Sequence, residues 1–152
     1  MRLFVTVGTT AFDELIESVD NLFSDKNTHE INYQIANGLY KPLSGNYFNF
    51  QPEIEKYYIN SDVIITHAGA GSIYHLLKLR KKIIIVPNFN RIDQHQSDIS
   101  SFMEKNKYSL VCWDLNNIKN IIDEIQNFTP REYTYNSFFM YDEISSYIKG
   151  LK

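Results

Sequence analysis

The sequence lacks most of the features that assign a chain to a protein class at once. Its single cysteine, Cys112, excludes an internal disulfide and lies in an apolar run, where a buried small side chain is favoured over a nucleophile. The net charge of -3 gives no signal for nucleic acid. No apolar run approaches the length of a membrane span, and the first run is too short for a signal peptide. These absences predict a cytoplasmic globular protein that binds no nucleic acid.

Familiar catalytic and cofactor signatures are also missing. The chain has no G-x-G-x-x-G dinucleotide fingerprint, and it has no G-x-S-x-G nucleophile elbow, which disfavours a hydrolase. No repeat, linker or low-complexity tract divides the 152 residues, so a single core is expected. After Pro130 aromatic residues become dense, and segment 131–152 is predicted to end in a helix that packs on its own domain or contacts a partner.

What the chain does have is a regular alternation of β-branched runs with amphipathic segments. Strands are predicted at about 2–7, 31–36, 47–50, 62–66, 82–86 and 109–112. Helices are predicted at about 12–23, 53–60, 71–79, 94–106 and 117–127. This order predicts an α/β fold with a single Rossmann-like, doubly wound, mostly parallel sheet, in which ligands bind beyond the carboxyl ends of the strands.

A glycine-rich loop joins the predicted strand at 62–66 to the next helix. Segment 66–72 reads THAGAGS. Glycines at 69 and 71 would let a ligand approach the backbone, and the amides of Ala70, Gly71 and Ser72 would be donors at a helix N-terminus, where the dipole favours an anion. A tight strand-to-helix turn capped by Ser72 explains this segment equally well.

A second polar connection favours the ligand hypothesis. Segment 88–96, NFNRIDQHQ, follows the next apolar run and concentrates hydrogen-bonding side chains at another strand-to-helix junction. Two such junctions at neighbouring strands suggest one pocket. A flavodoxin-like redox or signalling domain would share the alternating pattern but would leave these two loops unexplained.

Three segments occur together in an order typical of one enzyme family. They are residues 4–16, FVTVGTTAFDELI, residues 67–73, HAGAGSI, and residues 86–96, VPNFNRIDQHQ. In combination they resemble the C-terminal, donor-binding domain of family 28 glycosyltransferases, the MurG-like enzymes. The resemblance implies one half of a GT-B fold. The short chain is similar to stand-alone subunits of two-part transferases, both the PssE-like subunits of capsule and exopolysaccharide synthesis and the cytosolic subunit of the eukaryotic dolichol-linked N-acetylglucosaminyltransferase.

This resemblance implies a donor-binding subunit of an inverting, metal-independent UDP-sugar glycosyltransferase, with residues 1–130 as the nucleotide-sugar-binding domain. A membrane-associated partner would hold a lipid-linked acceptor, recruit this chain to the inner face of the membrane and supply the general base. We therefore expect no catalytic residue, no metal and no other cofactor here, in agreement with the absence of an Asp-x-Asp sequence. A non-catalytic enhancer of such a transferase is the alternative. The isolated chain could homodimerise, because its cleft would otherwise stay exposed.

The resemblance also implies which residues contact the donor. The diphosphate is expected at Gly8, Thr9, Thr10, His67, Ala68, Gly69, Ala70, Gly71 and Ser72. The donor sugar is expected at Asn88, Asp93, Gln94, His95 and Gln96. Local roles remain open for some of them, because Asp93, Thr9 and Thr10 could cap helices and the two histidines could bond to nearby backbone.

One position departs from the family pattern. His75 stands where the family usually has an acidic residue that binds the nucleotide ribose. A neutral histidine can hydrogen-bond a hydroxyl but cannot form the same charge-assisted pair. The identity and affinity of the donor therefore depend on what surrounds His75.

Overall fold

The structure is a computed structural model that describes residues 1–24, 29–89 and 95–134. The strands are β1 (Arg2–Thr6), β2 (Glu30–Gln34), β3 (Asn46–Phe48), β4 (Val63–His67), β5 (Lys82–Val86) and β6 (Leu110–Val111). The helices are α1 (Asp13–Phe23), α2 (Glu55–Asn60), α3 (Ala70–Lys78), α4 (His95–Lys105) and α5 (Ile118–Asn127), with a 3₁₀ turn at Leu115–Asn117.

Within the described residues the six strands form one sheet in the order β3-β2-β1-β4-β5-β6, and all neighbours run parallel. The chain starts in the middle of this sheet, runs to one edge, and returns to the middle to build the other half. This arrangement confirms the predicted doubly wound α/β fold. Its topological switch point lies between β1 and β4, where such folds bind their ligands beyond the carboxyl ends of the strands.

The sheet is buried on both faces. Leu3 and Val5 of β1 pack towards α1 and α5, while Phe4 packs towards α2 and α3. All three side chains are fully buried, and burial of each contributes about 1.5–3 kcal/mol. Because both faces are covered, the strands read as nearly continuous apolar runs, as in the three isoleucines of 83–85.

The crossover from β2 to β3 contains no helix along residues 35–45, all of which are described. This loop is held on α1 by the buried carboxylate of Asp20, which accepts hydrogen bonds from the amides of Leu43 (3.0 Å) and Ser44 (2.7 Å) and from the hydroxyl of Tyr40 (2.8 Å). Burial alone would raise the pKa of Asp20, but these hydrogen bonds outweigh it and hold the pKa below its ordinary value. The loop is therefore pinned by a charged group inside the protein.

The chain after α5 returns to the α3 and α4 side of the sheet. The amide of Arg131 donates to the carbonyl of Lys107 at 2.8 Å, and the ring of Tyr133 lies 5.2 Å from Tyr108 and 5.8 Å from Tyr74. The predicted C-terminal helix and its other aromatic residues lie outside the described residues. None of the described helices combines the length and the apolar character of a membrane-spanning segment.

Candidate functional site

A cleft of about 440 Å³ opens at the carboxyl ends of β4 and β5, beside the first turns of α3 and α4. Its volume lies in the range of ~300–1,000 Å³ that is typical of small-molecule sites. The cleft is lined by His67, Ala68, Gly69, Ala70, Tyr74, His95, Gln96, Asp98, Ile99 and Phe102. The structure thus brings the two polar junctions of the sequence together in one pocket.

The N-terminus of α3 is the most polar backbone feature of this cleft. Gly69 occupies the cap position in an extended conformation, and its carbonyl accepts the first helical hydrogen bond from the amide of Ile73 at 3.0 Å. The amides of Ala70, Gly71 and Ser72 therefore have no acceptor one turn earlier in their own helix. No side chain caps this helix within the described residues. Three amides and the helix dipole thus favour an anion at this point.

His67 packs against both glycine-bearing loops at this edge of the sheet. A Cβ atom built on Gly69 would clash with the Nε2 atom of His67, so a larger residue would force this ring to move. A Cβ atom on Gly8 would lie 2.7 Å from the Cε1 atom of the same ring. Gly8 also has a φ of +64°, a conformation that favours glycine. The imidazole therefore sets how the loop after β1 and the loop after β4 pack together.

Gly71 differs from these two glycines. A Cβ atom built on it would meet no protein atom within 4 Å, and the residue is exposed in the first turn of α3. The protein itself does not require glycine at this position. A requirement for glycine here would come from a ligand that approaches the backbone, whereas Gly69 makes room for His67.

Gln96 links the two ends of the second polar junction. Its Oε1 atom accepts a hydrogen bond from the amide of Asn88 at 2.9 Å, and both residues are buried. Because a backbone amide can only donate, this bond fixes which end of the Gln96 side chain is the oxygen. The donor end of the amide is thereby oriented by the loop that follows β5.

Ser72 and His75 point away from the cleft, towards α2. Ser72 lies beside Tyr58 of α2, and no side chain caps the N-terminus of α3, so the predicted alternative of Ser72 as a helix cap is wrong. The Nε2 atom of His75 lies 3.9 Å from the carboxylate of Glu55, and its ring packs edge-on against Tyr58 with 5.6 Å between centroids. Burial raises the pKa of Tyr58, which keeps its hydroxyl neutral. His75 is therefore on the opposite side of α3 from Gln96 and His95.

The remaining predicted residues divide into two groups. Thr9 and Thr10 follow Gly8 at the carboxyl end of β1, and α1 begins after Phe12 without a side-chain cap, so neither threonine caps it. Asp93 and Gln94, predicted at the donor sugar, lie outside the described residues.

Four lining residues were missed by the sequence reasoning, namely Tyr74, Asp98, Ile99 and Phe102. Helical spacing could have found them. Asp98, Ile99 and Phe102 follow His95 at intervals of three, four and seven, and Tyr74 follows Ala70 at an interval of four. Asp98 adds a carboxylate that can accept hydrogen bonds from hydroxyl groups.

Within residues 1–24, 29–89 and 95–134, no group of three or more His, Cys, Asp or Glu side chains is arranged to hold a metal ion. The absence of a metal requirement remains a prediction. Cys112 is buried, and burial raises the pKa of its thiol to about 11. A thiol with that pKa is a poor nucleophile at neutral pH.

The sequence matches a family model for the glycosyltransferase family 28 C-terminal domain over residues 2–139. It is also 30% identical over 122 residues to the human protein named UDP-N-acetylglucosamine transferase subunit ALG13, an alignment that covers 72% of this chain and 11% of the human protein. The chain thus spans about a tenth of the length of its human and mouse relatives.

Two solved structures share the fold. The NMR structure of ALG13 superposes with a TM-score of 0.60 at 19% identity, covering 95% of this chain and 94% of that one. The crystal structure of Acinetobacter baumannii MurG gives a TM-score of 0.67 at 17% identity, covering 83% of this chain and 41% of the MurG chain. The fold described above therefore corresponds to nearly the whole of one solved chain and to less than half of the other.

Proposed function

Because the chain belongs to the glycosyltransferase family 28 C-terminal domain family, we propose that it binds the sugar-nucleotide donor of an inverting, metal-independent glycosyltransferase. The donor would be a UDP-sugar. UDP-N-acetylglucosamine is the first candidate, since the human relative is named as a transferase subunit for that donor. A role in capsule or exopolysaccharide synthesis has no support from the relatives described above and stays a prediction.

The observation that carries this proposal is the uncapped N-terminus of α3 beside Gly71. Three amides converge there, and the missing side chain at Gly71 leaves open space above them. A diphosphate is the anion that suits such a site, because several of its oxygens can accept from neighbouring amides at once. Glycine at 71 would let those oxygens approach the backbone.

The sugar of the donor would lie towards α4. Gln96 can donate from an amide that is already oriented by the Asn88 backbone, and Asp98 offers a carboxylate on the next turn. His95 lines the same side of the cleft. Residues of this kind distinguish sugars by the position of single hydroxyl groups.

In the proposed reaction, an acceptor hydroxyl attacks the anomeric carbon and the nucleoside diphosphate leaves with its bonding electrons. The negative charge that develops on the leaving group would be stabilised by the amides of Ala70, Gly71 and Ser72 and by the dipole of α3. This chain would bind and orient the donor. The general base would come from a partner chain, so the isolated protein should be nearly inactive.

The partner in this proposal is a membrane-associated subunit that binds a lipid-linked saccharide acceptor. Two facts support a second chain that supplies the rest of the enzyme. This chain corresponds to 41% of the MurG chain, and its relatives are named as subunits. The chain would then act in the cytoplasm and reach the membrane through its partner. Homodimerisation of the isolated chain remains a second expectation.

The competing proposal is a non-catalytic subunit that stabilises or enhances a complete transferase. The replacement of the family's acidic ribose ligand by His75 favours this alternative. The intact glycine loop and the buried hydrogen bond between Gln96 and the Asn88 amide favour a working donor site. Binding of the donor to the isolated chain separates the two.

The experiment is calorimetric titration of the purified chain with UDP and with UDP-linked glucose, galactose, glucuronic acid and N-acetylglucosamine. Gly71→Asp places a carboxylate at the anion site and should abolish measurable binding. Asn120→Asp, on an exposed position of α5, adds the same charge far from the cleft and should leave affinity unchanged. Gln96→Glu keeps the acceptor for Asn88 but removes the donor group, so it should weaken the preference among sugars more than the affinity for UDP.

Each outcome has a definite meaning. Wild-type affinity in Gly71→Asp would place the nucleotide elsewhere and refute the site. No binding of any UDP ligand to the wild type would favour the enhancer. Robust transfer to a lipid-linked acceptor by the chain alone would contradict the assignment of the general base to a partner.

A further inference from the structure

A second depression lies at the same edge of the sheet as the donor cleft but on the opposite face. This aromatic groove has a volume of about 230 Å³, and the residues that matter for the argument are Phe12, Glu14, Phe89, Trp113, Asp114 and Leu115. We propose that the aromatic groove binds a neutral saccharide, one sugar ring at a time. The proposal goes beyond the donor site and does not require it.

The floor of the aromatic groove suits the apolar face of a pyranose ring. The rings of Phe89 and Trp113 lie 6.3 Å apart with only 24° between their planes, and they are 60% and 37% exposed. Aromatic faces carry negative charge density and attract the weakly positive C–H groups of a sugar. The indole of Trp113 is also fixed in place, because its Nε1 atom donates to both carboxylate oxygens of Glu104 at 3.1 Å.

The rim of the aromatic groove is acidic. Glu14 lies in the first turn of α1, and Asp114 precedes the 3₁₀ turn, where its Oδ1 atom accepts from the amide of Asn116 at 2.9 Å. Carboxylates accept hydrogen bonds from sugar hydroxyls. Among the described residues, the rim therefore offers oxygen acceptors for the hydroxyl groups of a sugar.

Size and location point in the same direction. The groove is smaller than the ~300–1,000 Å³ of typical small-molecule sites, which fits a single ring better than a nucleotide-sugar. Segment 87–89 contacts both depressions, since Phe89 lines the groove while the neighbouring Asn88 is bonded to Gln96 of the cleft. If the proposed function also holds, the sugar in the groove belongs to the acceptor.

The chain contains one tryptophan, so its intrinsic fluorescence reports on the aromatic groove directly. The full chain is titrated with cellobiose, maltose and N,N′-diacetylchitobiose, and the indole N–H resonance of Trp113 is followed in parallel. At least one disaccharide should give a saturable change. Phe89→Ala and Glu14→Gln should each weaken the binding of that saccharide by about fivefold or more.

Phe50→Ala is the matched control, because Phe50 is a similarly exposed phenylalanine (65%) that does not line the groove. It should bind the saccharide like the wild type, and Phe89→Ala should still bind UDP. A saturable response that is unchanged by Phe89→Ala overturns the proposal, and so does the absence of any response to all three disaccharides. UDP binding is measured on the same samples, so loss of the donor site and loss of the saccharide site are recorded separately.

Discussion

Alanine at Gly69 and alanine at Gly71 should change stability in opposite directions, although the two positions are separated by one residue. At Gly69 the new Cβ atom would clash with Nε2 of His67 and would lie 2.8 Å from Cε1 of the same ring. The φ of Gly69 is -83°, which alanine adopts without strain, so the substitution tests the contact alone. Overpacking of this kind costs about 1–3 kcal/mol. At Gly71 no atom is near, and alanine in place of a helical glycine gains up to about 1 kcal/mol.

Thermal unfolding followed by circular dichroism measures both effects. For a chain of this size, a loss of 1–3 kcal/mol lowers the melting temperature by roughly 3–10 °C. His67→Ala removes the ring, so combining it with each glycine substitution in a double variant tests whether the ring causes the difference. In the presence of His67→Ala, the cost of Gly69→Ala should fall by about 1 kcal/mol or more, whereas the effect of Gly71→Ala should stay additive within about 0.5 kcal/mol.

The reasoning is refuted if Gly69→Ala is as stable as Gly71→Ala, or if its cost is unchanged when His67 is removed. Ligand binding gives the complementary readout. Gly71→Ala should be well folded yet bind UDP more weakly than the wild type, because its methyl group occupies the space above the α3 amides. A folded Gly71→Ala protein with full UDP affinity would show that the ligand does not need the glycine.

Two further predictions concern buried polar groups. Asp20→Ala should destabilise the protein by about 1–3 kcal/mol for each buried donor that it leaves unpaired. Folding lowers the pKa of Asp20, so its contribution to the free energy of unfolding is present above the unfolded pKa of about 3.9. That contribution is lost as the pH falls through the folded pKa. The difference in urea midpoint between wild type and Asp20→Asn should therefore shrink on acidification. Cys112, with a pKa of about 11, should react with iodoacetamide at pH 7.5 only after unfolding, and rapid labelling of the native chain would contradict its burial.

The fold followed from the sequence because nearly every element carries a local signal. The strand β5 was predicted at 82–86 and is observed at Lys82–Val86, since an apolar run ends there at Pro87. The edge strand β3 is observed at Asn46–Phe48, shorter than the predicted 47–50, because its last residue pairs with Gln34, where β2 ends. Hydrophobic periodicity specifies where an element lies more firmly than where an edge strand ends.

The site was less predictable because its geometry depends on contacts between distant segments. The loop THAGAGS shows two glycines that look equivalent in the sequence. Only the packed structure reveals that one of them accommodates His67, which also contacts Gly8 from the first loop of the chain. The lining residues on α4 depended on knowing which face of the helix meets the cleft, and that face is set by how α4 packs beside the carboxyl ends of β4 and β5.

His75 shows why a departure from a family pattern has to be judged in three dimensions. Taken alone, the change from an acid to a histidine removes an acceptor from the site that would bind the ribose. In the structure, however, the carboxylate of Glu55 on α2 lies 3.9 Å from the Nε2 atom of His75. A negative charge is therefore present beside this position, supplied by a neighbouring helix. Tyr58 and Ser72 complete a polar cluster on the same side of α3. Glu55 thus supplies a carboxylate beside His75, but on the side of α3 that faces away from the cleft, so ribose binding at this position stays a prediction and the choice between a donor-binding and a non-catalytic subunit falls to the binding of UDP.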